Sequence, residues 1–218
     1  MKPDLPTLQI SDWTIRYRDP SGEGPHPVIW LFLGWMGDEG SMWIFVSLLP
    51  EIFLVLAPRC LYPQPRGGFG WYPRSNHDWS EIEMLLLTVN KIRDLEENWP
   101  LSAPWADFSN LRLAGFSQGA ALAYTYVFQH PEHVKAVAGL AGFLPEGLPD
   151  RLEQSQNAFV GKEVYISHGT MDKIVPVDKG TAAASFFDKN GAEVTFCGSD
   201  VGHKLSVDCF KGLEVFFE

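Results

Sequence analysis

Continuous apolar runs, separated by helical patterns, are the feature that most constrains the fold of this chain. Residues 28–33 (VIWLFL) and 52–58 (IFLVLAP) show no alternation of polar and apolar positions. Such runs are typical of strands that are buried on both faces of a parallel sheet. Further strands are predicted over residues 111–115, 134–142, 163–169 and 192–197. Strands that alternate with helices predict an α/β fold with a mostly parallel sheet and helices on both faces.

The clearest helix is predicted over residues 80–98. Its apolar side chains recur at three- and four-residue spacing, and Ser80 with Glu83 forms a capping-box pattern at its start. The remaining predictions are an edge strand over 13–19, a short helix near 41–50 with Ser41 as its cap, and helices over 118–130, 177–189 and 206–217. Because no change in composition marks a linker, we expect one domain over residues 1–218.

Composition narrows the classes of partner. With 17 basic and 27 acidic residues the net charge is −10, which disfavours binding to nucleic acids and anionic membranes. No run reaches the roughly 18 apolar residues of a membrane span, and the first ten residues lack the apolar core of a signal peptide. A soluble cytoplasmic protein is expected, with Cys60, Cys197 and Cys209 as buried free thiols.

A serine bracketed by glycines stands at the end of one predicted strand. In LAGFSQGAAL (113–122), Ser117 lies between Gly115 and Gly119, where a buried strand turns abruptly into a helix. Such a turn exposes the hydroxyl above the sheet, and side chains at the two glycine positions would collide there. The helix that follows places its positive end near the hydroxyl. The pattern predicts a nucleophilic serine.

A serine nucleophile needs a base and an acid that orients the base. In this fold class they follow the serine in the order acid, then histidine. His203 lies between the last strand and the last helix, and Asp172 follows the preceding strand. Asp200 is the main rival acid, whereas Asp178 is expected to begin a helix.

Two backbone N–H groups are predicted to stabilise a tetrahedral oxyanion. One belongs to Gln118, the residue after the serine. The other comes from the loop after the first buried strand, where Gly34 permits a turn and Trp35 is the first candidate, with Met36 second.

The motifs together resemble the phospholipase/carboxylesterase family of α/β-hydrolases, which includes acyl-protein thioesterases and small carboxylesterases. The similar segments are LAGFSQGAALA, HGTMDKIVPV, VGHKLS and GGFGWYP, and the resemblance extends from about residue 28 to the end. It implies an α/β-hydrolase fold, Ser117, Asp172 and His203 as the triad, and Trp35 and Gln118 as oxyanion donors. Because the predicted helix over residues 80–98 directly follows the aromatic loop, with no large insert, we expect no separate lid domain. The chain departs from the family pattern at Leu33-Gly34, where members usually carry His-Gly.

The expected reaction is hydrolysis of carboxylic esters with short to medium acyl chains, through an acyl-enzyme and without a metal or other cofactor. A thioesterase or lysophospholipase is the near alternative, and a non-catalytic binding protein of the same fold is the second. A small-molecule ester or thioester is the expected partner of a monomer or homodimer. Four side chains are predicted to contact the substrate: Met36, Phe69, Trp71 and Tyr72.

Overall fold

The computed structural model describes residues 6–72, 82–99, 106–152 and 158–218. Ten strands are present in this part of the chain: β1 (Thr7–Ile10), β2 (Trp13–Arg18), β3 (His26–Phe32), β4 (Leu54–Pro58), β5 (Tyr62–Pro63), β6 (Phe69–Gly70), β7 (Ala106–Phe116), β8 (Val134–Leu140), β9 (Glu163–Gly169) and β10 (Glu193–Ser199). The helices are α1 (Ile82–Glu97), α2 (Gln118–Gln129), α3 (Leu148–Leu152), α4 (Val177–Lys189) and α5 (Val207–Phe217).

Eight strands form one sheet in the order β1-β2-β4-β3-β7-β8-β9-β10, and β5 pairs with β6 in a separate hairpin. Within the large sheet, neighbouring strands are parallel from β4 through β3, β7, β8 and β9 to β10. The pairs β1–β2 and β2–β4 are antiparallel. This is the α/β-hydrolase-like arrangement expected from the sequence. The chain moves from β3 to β4 on one side and later returns to β7 on the other. The carboxyl ends of β3 and β7 therefore meet at a topological switch point, where such sheets bind ligands.

The buried strands were predicted correctly, but three details of the prediction are wrong. β2 is not an edge strand, because β1 pairs along its outer side. The helix near residue 41 is a 3₁₀ helix over Trp43–Leu48, and Met42 precedes it instead of Ser41. Cys197 and Cys209 form a disulfide, with their Cα atoms 5.7 Å apart, so only Cys60 is a buried free thiol. The predicted Ser80 cap of α1 lies outside the described residues.

A buried carboxylate connects the helices on one face of the sheet to its central strand. Glu96 of α1 accepts hydrogen bonds from Trp30 Nε1 and Tyr126 Oη, both at 2.7 Å, and pairs with Arg93 at 2.5 Å. Its side chain is only 1% exposed. Burial raises the pKa of Glu96, and the donors Tyr126, Arg93 and Trp30 offset this only in part.

We expect Glu96→Leu to lower the free energy of unfolding by about 3 kcal/mol, because it leaves Trp30 Nε1 and Tyr126 Oη in the core without an acceptor and removes the closer of the two carboxylates that pair with Arg93. Glu96→Gln should lower the free energy of unfolding by less and should change its dependence on pH. A raised folded-state pKa favours the protonated form, so wild-type stability falls as the pH rises from the ordinary glutamate range through the raised value. Urea unfolding at several pH values measures both effects.

Glu97→Gln is the matched control, since Glu97 also pairs with Arg93 but its side chain is 64% exposed. Its loss should leave stability nearly unchanged. Equal effects at positions 96 and 97 would contradict a role for the buried carboxylate.

Candidate active site

Ser117 occupies the turn between β7 and α2 in a backbone conformation that few non-glycine residues adopt. Its φ and ψ are 54° and −115°, and holding a residue there costs about 1–3 kcal/mol. Its N–H donates to the carbonyl of Leu140 in β8, with an N–O distance of 2.8 Å. The predicted strand–turn–helix context of the serine is therefore present.

The two glycines around Ser117 are required by close backbone approaches. A Cβ atom at Gly115 would overlap the carbonyl of Gly119, and one at Gly119 would overlap the carbonyl of Phe32 in β3. The turn around Ser117, called the elbow below, thus lies directly against the neighbouring strand β3. The steric explanation derived from the sequence holds for both glycine positions.

Asp172 lies in the loop after β9 and is bonded on both oxygens. Oδ2 is 2.6 Å from His203 Nδ1, and Oδ1 accepts the N–H groups of Ile174 and Val175 at 2.8 and 3.0 Å. Burial alone would raise the pKa of Asp172, but the hydrogen bonds from His203, Val175 and Ile174 outweigh it and lower the pKa. The carboxylate therefore stays ionised while it holds the imidazole.

His203 lies in the loop after β10, and its side chain is 15% exposed. Its ring packs on the ring of Phe116 with a centroid distance of 4.9 Å. Since Phe116 directly precedes Ser117, this contact brings the imidazole to the elbow. Nδ1 is bonded to Asp172, and Nε2 has no hydrogen-bond partner in the described part of the chain. Nε2, on the opposite side of the ring from Asp172, is thus available to accept a proton.

The rival acids lie elsewhere. Asp200 accepts a hydrogen bond from Thr170 Oγ1 at 2.6 Å, and Asp178 lies exposed in the first turn of α4. Sequence reasoning missed a second histidine beside the acid. His168 Nε2 donates to the carbonyl of Val175 at 2.8 Å and lies 3.6 Å from Asp172 Oδ2. Its position at the end of β9 was the available signal.

The two early-loop candidates for the oxyanion donor differ in their hydrogen bonding. Met36 N–H donates to the carbonyl of Phe69 at 2.9 Å, so it is already used. The N–H of Trp35 has no partner among the described residues, which makes Trp35 the better candidate. A Cβ atom at Gly34 would lie 3.5 Å from that of Ser117, so this loop lies against the elbow. Gln118 is the first residue of α2, where helical N–H groups have no intrahelical acceptor.

A cavity of about 430 Å³ opens beside this loop and includes Phe116 in its wall. Its other large apolar side chains are Trp35, Met36, Met42, Ile44, Phe45, Leu205 and Phe210. Of the four predicted substrate contacts, Met36 lines the cavity. Trp71 is fully buried and is not among the residues that line this cavity. Tyr72 is buried as well, while Phe69 is half-buried under the guanidinium of Arg59.

The described part of the chain contains neither a metal-binding cluster nor a membrane-spanning helix. Within residues 6–72, 82–99, 106–152 and 158–218, no group of three or more His, Cys, Asp or Glu side chains could hold a metal ion. None of the described helices is long and apolar enough to cross a membrane.

Comparison with known proteins gives a consistent picture. The family model described as phospholipase/carboxylesterase matches residues 21–218. The acyl-protein thioesterase 1 of Saccharomyces cerevisiae is 36% identical over 178 residues, which cover 72% of this chain and 75% of that protein. The acyl-protein thioesterase 1 of Kluyveromyces lactis is 27% identical over 180 residues, covering 74% and 76%. A carboxylesterase structure from Mesorhizobium loti has a TM-score of 0.79 at 19% identity and covers 97% of each chain.

Proposed function

The chain belongs to the phospholipase/carboxylesterase family, and on that premise we propose that it is a serine hydrolase which cleaves carboxylic esters through an acyl-enzyme on Ser117. Family membership supports hydrolysis of esters or thioesters in general. The observation that carries the specific proposal is the hydrogen bond of 2.6 Å that His203 Nδ1–H donates to Asp172, with the ring of His203 packed beside the strained serine turn.

The proposed reaction has two steps. Ser117 Oγ attacks the substrate carbonyl carbon while His203 Nε2 accepts the hydroxyl proton. The bond to the alcohol or thiol then breaks, and His203 gives that proton to the leaving group. Water attacks the acyl-enzyme in the same way, and the proton returns to Ser117 when the acid is released. Asp172 remains ionised and stabilises the imidazolium in both steps.

In the proposed mechanism, the backbone N–H groups of Trp35 and Gln118 donate hydrogen bonds to the oxyanion formed in each step. This assignment is supported by the close approach of Gly34, which precedes Trp35, to Ser117 and by the position of Gln118 directly after the serine. Losing one such donor typically costs about 2.7–4 kcal/mol of barrier.

An apolar acyl group of short to medium length is the proposed substrate element. The loop of residues 33–37, which carries the candidate donor Trp35, is called the oxyanion loop below. The cavity beside it has mostly apolar walls and a volume of about 430 Å³, which is within the usual range for small-molecule sites. Thioester cleavage, the nearest competing function, has its own support, since both yeast relatives are named acyl-protein thioesterase 1. Lysophospholipid cleavage and ligand binding without turnover are two further candidate functions.

A substrate panel separates these candidate functions. We expect p-nitrophenyl esters from acetate to laurate to be cleaved, with the highest kcat/KM at a short or medium chain, and to be better substrates than an acyl-CoA or a lysophosphatidylcholine. A fluorophosphonate probe should label the protein. If the acyl-CoA is the preferred substrate, the protein is a thioesterase and the proposal of an esterase is contradicted. Absence of both labelling and turnover would favour the binding protein.

Asp172→Asn tests the assignment of the acid. An amide at this position cannot hold the imidazole in the required tautomer, so kcat should fall by about 10⁴-fold. The measurement is steady-state hydrolysis of the best p-nitrophenyl ester. Asp200→Asn is the matched control and should stay near the wild type, because Asp200 is bonded to Thr170 instead of His203. The reverse ranking would identify Asp200 as the acid.

A further inference from the structure

The loop that carries the candidate oxyanion donor is held at both ends by one short segment. Phe69 accepts the N–H of Met36 at 2.9 Å and donates its own N–H to the carbonyl of Gly37 at 3.0 Å. Trp71 Nε1 donates to the carbonyl of Leu33 at 2.8 Å. Trp35 lies between these two attachments. Its N–H direction therefore depends on the segment Phe69–Trp71, which is separated from the loop by more than thirty residues.

Trp71 is itself fixed on three sides. Its backbone N–H donates to Gln118 Oε1 at 3.3 Å, and its carbonyl accepts the hydroxyl of Thr88 in α1. The indole stands edge-on to Phe32, with a centroid distance of 5.4 Å and an interplanar angle of 84°. The side chain has no exposed surface. One buried tryptophan thus connects the oxyanion loop, the elbow helix and α1.

The bond to Leu33 matters because of what lies beside it. Leu33 is 1% exposed. If its carbonyl lost the indole N–H as donor, either the backbone would shift or the unpaired carbonyl would destabilise the fold by its full desolvation free energy. The next residue, Gly34, has little room to shift, since even a Cβ atom there would lie 3.1 Å from Phe116 Cδ1. Small displacements of oxyanion donors have large effects on rate.

We propose that Trp71 is a positioning residue for the oxyanion hole: its indole N–H fixes the carbonyl of Leu33 and thereby aims the N–H of Trp35 at the reacting carbonyl oxygen. This inference rests on the proposed function. Trp71 touches no reacting atom and acts only through the loop.

Trp71→Phe removes the indole N–H and keeps an aromatic ring in the core. We expect kcat for a p-nitrophenyl ester to fall by about 10-fold to 100-fold, with KM little changed. Affinity for an alkyl trifluoromethyl ketone should fall in parallel, because its tetrahedral adduct needs the same oxyanion donors. A purely structural role would lower the thermal midpoint without changing kcat or inhibitor affinity well below it.

Trp30→Phe is the matched control. Trp30 is also fully buried, and its Nε1 donates to Glu96 at 2.7 Å, within the network of α1 and α2. It should lose stability but keep the wild-type kcat. If Trp71→Phe fails to fold, benzothienylalanine at position 71 replaces the N–H by sulfur in a ring of the same shape, and the same fall in kcat is expected.

Two negative results have different meanings. If Ser117→Ala keeps the wild-type activity, the proposed function fails. If Ser117→Ala is inactive while the position-71 variants keep wild-type kcat and inhibitor affinity, only the positioning role is overturned.

Discussion

Replacing Ser117 by alanine is expected to lower kcat for a p-nitrophenyl ester by about 10⁶-fold. The substitution removes the atom that attacks the carbonyl, and His203 is left without a hydroxyl to deprotonate. The remaining rate would come from binding and the oxyanion donors alone. The thermal midpoint should stay close to that of the wild type, because Ser117 donates only its backbone N–H, to Leu140, among the described hydrogen bonds. Steady-state kinetics and thermal unfolding of the same preparation measure both quantities.

Ser185→Ala is the control for this experiment, since Ser185 is exposed on α4. It should keep the wild-type rate and the wild-type labelling by a fluorophosphonate. Activity of Ser117→Ala within tenfold of the wild type would show that the strained turn serves another purpose.

The second large effect is expected for His203→Ala, which should lose nearly as much activity as the serine variant. Nucleophile and base act as a unit, so the double variant should be little worse than either single one. Protonation of Asp172 should not lower kcat/KM in the usual carboxyl range of pH, because its hydrogen bonds lower the pKa of that carboxyl below this range.

His133→Ala provides the comparison for the base. His133 lies in the short 3₁₀ helix after α2 and pairs with Glu132. Its loss should leave the rate unchanged. Losses at Ser117 and His203 that multiply in the double variant would mean that the two side chains act independently, contrary to the mechanism.

Much of the fold was predictable because buried parallel strands are read from continuous apolar runs, as in residues 28–33. β1 was missed, since four residues with an exposed and half-buried pattern give little periodic signal. Its absence from the prediction made β2 an edge strand. The disulfide could not be predicted from the spacing of Cys197 and Cys209, because pairing depends on β10 and α5 coming together.

The pairing of Asp172 with His203 and the turn at Ser117 could be predicted from motifs and from the places of these residues after strands. The role of Trp71 was not. Its position in an aromatic loop suggested contact with substrate, whereas the structure buries it under the oxyanion loop. Whether an aromatic residue lines a pocket or supports its wall depends on long-range packing, which local sequence does not report. The choice between the N–H groups of Trp35 and Met36 also depended on a distant partner, Phe69.

The covalent intermediate tests the central proposal most directly. The protein is mixed with a p-nitrophenyl ester, quenched in acid during turnover, digested and mapped by mass spectrometry. We predict the acyl mass on the peptide that contains Ser117, lost in Ser117→Ala and retained in Ser185→Ala. An acyl group on another side chain, or turnover in which a full time course of quenched samples never shows acylated protein, would contradict the account.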